Sequence, residues 1–207
     1  MASAKAAAYI RRMSSSLRVA RAEISPREQL RVIGPDAVSF IQGMVSNDVE
    51  ALSEGGVCDA TLLTAKGSMI ADLRVVRSAD GLIIDVPTAR AEPVRDFLAK
   101  YLISEDAELS LAHELTCITL VGAEAAGRAR SLGAMAVLPT LVGADVLLGV
   151  SAREATLQAL ADVPVLDAQA YLVRRIEAGQ PEWGAELGES SIPLEANLER
   201  AIHYKKG

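Results

Sequence analysis

The chain is poor in the residues from which metal sites, disulfides and nucleophilic triads are built. It has 207 residues, with two cysteines, Cys58 and Cys117, and two histidines, His113 and His203. Neither cysteine has a partner at C-x-x-C spacing, so the spacing predicts neither a disulfide framework nor a zinc site. Two histidines are also too few for a His-rich metal centre, and they make a His-based triad improbable. We therefore expect no metal.

Long apolar runs, a basic charge balance and the common catalytic motifs are also missing. No stretch approaches 18 uninterrupted apolar residues, which argues against a membrane-spanning helix. The net charge of −6 disfavours binding to phosphate backbones. We accordingly expect no direct nucleic-acid partner and no membrane partner. Walker A, G-x-G-x-x-G, H-E-x-x-H and G-x-S-x-G motifs do not occur, so residue chemistry alone defines no reaction.

The first 22 residues are basic and contain no acidic residue. They also contain Ser14, Ser15 and Ser16, and this composition is typical of an organelle transit peptide. The alternative, which we favour, is an ordinary N-terminal helix with Tyr9, Met13 and Leu17 on one apolar face. We expect a cytoplasmic protein, and a mitochondrial-matrix protein is the alternative.

Hydrophobic periodicity predicts an α+β fold with antiparallel sheets. Turn residues separate the apolar strands, and no β-α-β repeat is present. The predicted strands are 29–33, 58–64, 69–77, 82–86, 107–112 and 115–121, followed by a short helix and further strands within 122–150. Four helices are predicted in addition to the short helix in 122–150. The first follows Gly34-Pro35-Asp36, the second begins at Pro93, and the third begins at residue 151. The fourth begins at the capping residue Asp167 and ends at Gly179.

Four side chains stand out as candidates for ligand binding. Glu177 near a helix end could accept two parallel hydrogen bonds from a planar N–C–N donor such as a pterin; the alternative is a solvated Glu or a partner of a neighbouring arginine. Tyr171 could stack on a heteroaromatic ring, although core packing is its more common role. Asp72 interrupts an apolar strand and could face either a cleft or solvent. Lys206 could hold a carboxylate tail, or belong to a frayed terminus.

Three blocks of sequence together resemble the YgfZ-type folate-binding proteins, relatives of the aminomethyltransferase (T-protein) of the glycine cleavage system. The order and spacing of the blocks agree over residues 22–207, which is most of the chain. The blocks are LRVIGPDA (30–37) with FIQG (40–43) and SNDV (46–49), LLTAKG (62–67) with IADLRV (70–75), and RIEAGQP (175–181) with IPLEANL (192–198) and YKKG (204–207).

The resemblance implies a particular architecture. Residues 1–48 and 113–207 would form a discontinuous folate-binding domain, and residues 49–112 would form an inserted ferredoxin-like α+β domain. A folate site would lie in a central hole. The family continues after the Lys-Gly signature with a reactive cysteine and a C-terminal β-barrel, and we expect both to be absent from this chain.

The resemblance also implies a cofactor and a set of site residues. Tetrahydrofolate would be bound by Glu177, Tyr171, Asp72, Asn47 and Lys206, with Glu177 holding the pterin. T-proteins carry paired aspartates where this chain has Ala71 followed by Asp72, so one carboxylate of the transfer site is missing.

These features lead to three functional hypotheses. The first is a folate-binding accessory protein that supports iron–sulfur cluster assembly or repair, and through the clusters tRNA modification; its partners would be folate and iron–sulfur assembly or client proteins. The second is a tetrahydrofolate-dependent aminomethyltransferase. The third is a degenerate fragment that binds neither. We expect a binding role more than classical enzyme activity, and we assign no catalytic residue.

Overall fold

The computed structural model describes residues 17–22 and 27–206 of the chain. The described part contains ten strands and five α-helices, joined by turns and short 3₁₀ segments. The strands are β1 (Ala20–Ala22), β2 (Arg27–Ile33), β3 (Val57–Leu63), β4 (Met69–Ser78), β5 (Gly81–Pro87), β6 (Glu108–Leu111), β7 (Leu115–Val121), β8 (Ala136–Pro139), β9 (Gly143–Gly149) and β10 (Val165–Leu166). The helices are α1 (Ala37–Met44), α2 (Ala91–Ala99), α3 (Ala125–Arg130), α4 (Arg153–Ala159) and α5 (Ala168–Glu177).

The strands form two five-stranded sheets. We call the sheet with strand order β3-β4-β5-β2-β6 the inner sheet, and the sheet with order β10-β1-β7-β9-β8 the outer sheet. All strand pairs are antiparallel except β1 with β10, which run parallel. The fold is therefore α+β with antiparallel sheets, as the sequence predicts.

The two sheets pack face to face, with helices on both outer faces. Helices α1 and α2 cover the inner sheet through a large apolar cluster that includes Leu30 and Leu98. A second apolar cluster joins the facing surfaces of the two sheets; it includes Ile83 of β5 and Leu147 of β9. Helix α3 and the segment that follows α4 cover the other face of the outer sheet. The result is a four-layer arrangement, helices–sheet–sheet–helices.

The inner sheet is inserted into the outer sheet along the chain. Every inner strand lies between β1 and β7 in the sequence, so the outer sheet begins before the insert and is completed after it. Strand β2 pairs with β5 and β6, which places residues 27–33 in the same sheet as residues 57–87. The proposed domain division grouped residues 1–48 with 113–207; the sheets instead group β2 and α1 with 49–112. The division into domains stays a prediction.

Local sequence signals account for the β3–β4 turn and for both ends of α5. Gly67 has φ +83° in the hairpin between β3 and β4, a conformation that a side chain disfavours. The Asp167 side chain accepts a hydrogen bond from the Ala170 N–H and caps α5, and Gly179 at φ +68° follows its end. Residues Ala20–Ala22 form β1 and pair with β7 and β10. The predicted N-terminal helix with Tyr9 and Met13 falls on residues 1–16, which lie outside the described part.

Within the described residues, no helix is both long enough and apolar enough to cross a lipid bilayer.

Candidate functional site

A cavity lies where the two sheets, helix α5 and the C-terminal loop meet. It has about 840 Å³ of empty space, counted out to the solvent. Polar and charged side chains and several prolines line it: Arg27, Asp59, Asp72, Arg74, Pro87, Thr119, Pro139, Thr140, Asp145, Tyr171, Arg175, Gln180, Pro181, Glu182, Trp183 and Arg200, with Ala60, Leu73, Leu198 and Ala201.

A row of polar residues crosses the inner sheet beneath this cavity. Asp59 pairs with Arg74, Arg74 with Asp85, and Asp85 with Gln29 in the strand register. Residues directly opposite each other on neighbouring strands project from the same face of a sheet. The strands therefore place four polar side chains side by side on the face that the outer sheet covers.

Asp85 is the centre of this row and is completely buried. Its Oδ2 lies 2.5 Å from Arg27 Nε and 2.8 Å from Arg74 Nε, and its Oδ1 accepts a hydrogen bond from Gln29 Nε2 at 2.8 Å. Burial alone would raise the pKa of Asp85, but the guanidiniums of Arg74 and Arg27 outweigh burial and hold that pKa below its ordinary value. The carboxylate therefore stays ionised at neutral pH.

The two arginines connect Asp85 to two carboxylates of the cavity wall. Arg27 Nη1 donates to Asp72 Oδ2 at 2.6 Å, and Arg74 Nη1 donates to Asp145 Oδ2 at 2.5 Å. Burial opposes the charge on both arginines, yet the surrounding carboxylates raise the pKa of each above its ordinary value. The described structure thus joins three carboxylates through two guanidiniums.

Asp72 and Asp145 each keep one oxygen that has no partner among the residues the structure describes. Asp72 Oδ1 and Asp145 Oδ1 are buried and accept no hydrogen bond from these residues, and the buried hydroxyl of Thr140 likewise has no partner among them. All three residues line the cavity. A buried acceptor without a donor costs about 1–3 kcal/mol, so a ligand that brings N–H donors would be stabilised here.

Helix α5 and the loop after it form the opposite wall. Tyr171 lines the cavity and also packs against the apolar cluster around Val121 and Val142. Burial raises the pKa of Tyr171 to about 12, so its hydroxyl stays protonated at neutral pH. The ring of Trp183, another lining residue, is covered by the Arg90 guanidinium 4.9 Å from the ring centre.

Arg175 holds the loop in place from the end of α5. Only 2% of Arg175 is exposed. Its Nη1 donates to Glu186 Oε2 at 2.5 Å and to the Gln180 carbonyl at 2.9 Å, and its Nε lies 2.9 Å from Glu182 Oε2. The Arg175 guanidinium therefore holds the loop that carries the far wall at three positions, residues 180, 182 and 186.

The structure brings together two of the five site residues predicted from sequence. Asp72 and Tyr171 both line the cavity. Asn47 and Lys206 lie together behind its edge and are not among the lining residues. Lys206 Nζ donates to the carbonyls of Val45 and Asn47, and Asn47 Nδ2 donates to the carbonyls of Asp59 and Arg200. These contacts tie the end of the described chain to the loop after α1.

Glu177 is the last residue of α5 and has a different neighbourhood. Its side chain is exposed, and it borders a separate, more open depression together with Arg174, Ala178 and Gly122. It is not among the residues that line the cavity between the sheets. The structure therefore separates Glu177 from Asp72 and Tyr171, and its binding role stays a prediction.

Sequence reasoning missed Arg27, Arg74 and Asp145. Each is a charged residue at or near an apolar strand, and Asp145 interrupts the run Gly143–Gly149 in the same way that Asp72 interrupts β4. The signal was therefore present, but a lone charge in a strand does not reveal its partner. No group of three or more His, Cys, Asp or Glu side chains in the part of the chain described here is arranged to hold a metal.

Comparison with known proteins identifies relatives over most of the chain. It is 26% identical to an aminomethyltransferase of Rubrobacter xylanophilus over 211 residues, covering 89% of this chain and 57% of the relative. It is 28% identical over 198 residues to proteins named tRNA-modifying protein YgfZ of Shigella dysenteriae and of Escherichia coli, covering 85% of this chain and 60% of each. The chain thus spans less than two thirds of these relatives.

A solved structure shares the fold. The glycine cleavage system aminomethyltransferase T from Bartonella henselae superposes with a TM-score of 0.76 over 94% of this chain and 60% of its own, at 19% identity. The family model described as the GCVT N-terminal domain matches residues 11–137, which is more than half of the chain. The matched segment holds the whole inner sheet with Arg27, Asp72, Arg74 and Asp85, and the chain belongs to the GCVT N-terminal domain family.

Proposed function

We propose that the chain binds tetrahydrofolate and holds its pterin ring in the cavity between the two sheets. The observation that carries the proposal is the pair of carboxylates Asp72 and Asp145, each with one buried oxygen that accepts no hydrogen bond from the described residues. The pyrimidine edge of a pterin presents adjacent N–H donors in one plane. A carboxylate is the acceptor best suited to such donors.

The charges of the cavity favour a hydrogen-bond donor over an anion. The lining arginines that the structure describes are all paired with carboxylates: Arg27 with Asp72, Arg74 with Asp145, Arg175 with Glu182, and Arg200 with Asp59. An anionic group entering the cavity would have to displace one of these pairs. The neutral pterin, rather than the glutamate tail, is therefore the part of folate that fits these walls.

The aromatic side chains of the far wall also favour the pterin ring as the part of folate that enters the cavity. Tyr171 offers a flat surface beside the cavity, and aromatic faces in offset contact contribute about 0.5–1.5 kcal/mol beyond area burial. Trp183 lines the same wall with one face already covered by Arg90. A ring that enters between the sheets would lie against Tyr171 while its edge meets the carboxylates.

We further propose that the chain acts as an accessory protein for iron–sulfur cluster assembly or repair, and through the clusters for tRNA modification. The relatives named tRNA-modifying protein YgfZ support this role. So does Ala71, which is fully buried beside Asp72 where the resemblance to T-proteins expects a second aspartate.

A tetrahydrofolate-dependent aminomethyltransferase is the second candidate. The relative from Rubrobacter xylanophilus carries that name, and Asp72 would supply a carboxylate beside the folate. Formation of methylenetetrahydrofolate from an aminomethylated lipoyl carrier protein, at a rate that Asp72→Asn abolishes, would favour this candidate over the accessory role.

Titration of the protein with tetrahydrofolate under anaerobic conditions tests the binding proposal. Loss of a hydrogen bond to a charged group costs about 1.5–3 kcal/mol, so we expect Asp72→Asn and Asp145→Asn each to weaken binding by about tenfold to a hundredfold. Glu92→Gln, an exposed carboxylate of α2, is the matched control and should bind like the wild type. If the wild type does not bind tetrahydrofolate, or if both aspartate variants bind it as tightly as the wild type does, the proposal is contradicted.

Glu177→Gln separates the two possible pterin carboxylates. If Asp145 holds the pterin edge, Glu177→Gln binds as tightly as the wild type while Asp145→Asn does not. If instead Glu177→Gln weakens binding and Asp145→Asn does not, the pterin binds at the exposed end of α5 beside Glu177.

The cellular role is tested in a strain that lacks the gene for this protein. The readouts are the activities of iron–sulfur enzymes and the content of modified nucleosides in tRNA. We expect the wild type to restore both and Asp145→Asn to restore neither. Unchanged enzyme activities and tRNA modification in the deletion strain would contradict the accessory role without affecting the binding proposal.

A further inference from the structure

Asp85 is a buried carboxylate that the binding proposal does not use directly. It is completely buried and is not among the residues that line the cavity. A buried ionised carboxylate is costly unless it is paired and hydrogen-bonded. Asp85 meets this condition with two arginines and Gln29, and both arginines reach onward to the cavity wall.

The connection is the same on both sides of Asp85. Arg27 uses Nε for Asp85 and Nη1 for Asp72, and Arg74 uses Nε for Asp85 and Nη1 for Asp145. In each case the arginine binds one oxygen of the cavity carboxylate, and the other oxygen accepts no hydrogen bond from the part of the chain that the structure describes. The two free acceptors, one on each sheet, therefore have their positions set by a single side chain between them.

We propose that Asp85 is a positioning residue: through Arg27 and Arg74 it holds Asp72 and Asp145 as a pair of ligand acceptors, each with one oxygen available. The inference rests on the proposed function and adds a residue to it. Asp85 keeps the guanidiniums from closing over both oxygens of the cavity carboxylates. Without the Asp85 carboxylate, Arg27 Nε and Arg74 Nε lose their partner and can turn toward the second oxygen of Asp72 or Asp145, in the bidentate geometry that arginine prefers. That oxygen is then no longer available to the ligand. The contacts of Arg27 Nη2 with the backbone carbonyls of Asp72 and Asp85 remain.

The charge count supports this role. Asp72, Asp85 and Asp145 carry three negative charges against two positive charges on Arg27 and Arg74. With Asp85 in place the arginines are shared and the cavity carboxylates remain only partly satisfied. Neutralising Asp85 leaves one arginine for each of Asp72 and Asp145. The two arginines can then satisfy both carboxylates, and a ligand gains nothing by donating to them.

Asp85→Asn tests the proposal because it removes the charge and keeps the shape of the side chain. We expect tetrahydrofolate affinity to fall by about tenfold or more, as for loss of one charged acceptor. Thr156→Val is the control: it removes a buried hydroxyl that bonds to the Ala152 carbonyl on α4, outside the cavity. This control lowers the melting temperature but leaves affinity within about twofold of the wild type.

A double-mutant cycle on affinity distinguishes positioning from general destabilisation. If Asp85 acts through the cavity carboxylates, adding Asp85→Asn to Asp145→Asn weakens binding much less than it does in the wild type. A purely structural effect gives the same loss in both backgrounds, and that result overturns the proposal, as does wild-type affinity in Asp85→Asn.

Gln29→Met is the second variant, for use if Asp85→Asn does not fold. It removes the Gln29 hydrogen bond to Asp85 Oδ1 and leaves both arginine contacts in place. We expect a loss of affinity that is smaller but exceeds that of Thr156→Val; equal affinities contradict the positioning role. If the wild type itself fails to bind tetrahydrofolate, the proposed function fails and the inference fails with it. If the wild type binds and Asp85→Asn binds equally, the inference alone fails.

Discussion

Arg74 Nη1 lies 2.5 Å from Asp145 Oδ2, and this contact joins β4 of the inner sheet to β9 of the outer sheet. Both side chains are at most one-tenth exposed. The apolar cluster around Ile83 and Leu147 also crosses the interface between the sheets. The sheets are therefore held together by a shared apolar core and by a charge pair at the cavity.

Replacing Arg74 should be costly for stability. Arg74→Met leaves Asp85 and Asp145 without their shared guanidinium, and breaking a buried pair in this way typically costs about 3–5 kcal/mol. The free energy of unfolding from urea titration measures the loss. Arg95→Met removes the exposed pair with Asp96 and should cost about 0–1 kcal/mol. Similar losses for the two variants would show that the Arg74 contacts contribute little.

The buried carboxylate of Asp85 should make stability depend on pH at the acidic end. Its pKa is lower in the folded chain than its ordinary value of 3.8. Such a group stabilises the fold fully above the unfolded-state pKa, and this contribution is lost as the pH falls from about 3.8 through the folded-state pKa. Asp85→Asn should flatten this part of the curve of melting temperature against pH. An unchanged slope would mean that other carboxylates govern acid unfolding.

Neither cysteine should be reactive in the folded protein. Burial raises the pKa of Cys58 to about 11, and burial together with Asp85 and Asp145 raises the pKa of Cys117 well above its ordinary value. The thiolate is the reacting species, so both thiols should be modified slowly by a disulfide reagent at about pH 8. Cys58, which is only partly buried, should react before Cys117. Both should react quickly in denaturant, and rapid modification of the native protein contradicts this prediction.

Arg175 should control the order of the loop that forms the far wall. Arg175→Met removes its contacts with Glu182, Glu186 and the Gln180 carbonyl, and we expect a loss of about 1–3 kcal/mol because both glutamates are partly exposed. Limited proteolysis should then cut between residues 180 and 190 faster than in the wild type. Arg130→Ala, an exposed arginine at the end of α3, is the control. Equal cleavage rates for the two variants would show that the loop does not depend on Arg175.

The sequence was informative where structure depends on nearby residues. The turn Gly34-Pro35-Asp36 predicted the start of α1, and the Asp167 cap and Gly179 predicted both ends of α5. The two apolar stretches 58–64 and 69–77 predicted strands β3 and β4. These signals act over a few residues and are therefore visible in one sequence. Asp72 was found for the same reason, because a carboxylate inside an apolar strand is conspicuous.

The arrangement of the cavity depends on contacts between distant residues. Arg74 and Asp145 are 71 positions apart, and Arg27 and Asp85 are 58 apart. The sequence around each of these residues does not indicate which distant side chain it pairs with. Glu177 was chosen on a local signal, the end of a helix, whereas the face of α5 that meets the cavity was decided by packing against the outer sheet.

The parallel pairing of β1 with β10 has a consequence for synthesis of the chain. β1 leaves the ribosome before every other described strand, but its two neighbours, β7 and β10, start at Leu115 and Val165. The inner sheet has all of its strands by Leu111 and can assemble while β1 still waits unpaired. A nascent chain stalled after Leu111 and before β7 would therefore carry a complete inner sheet and an N-terminal strand without a partner. At this stage a chaperone could bind the exposed strand.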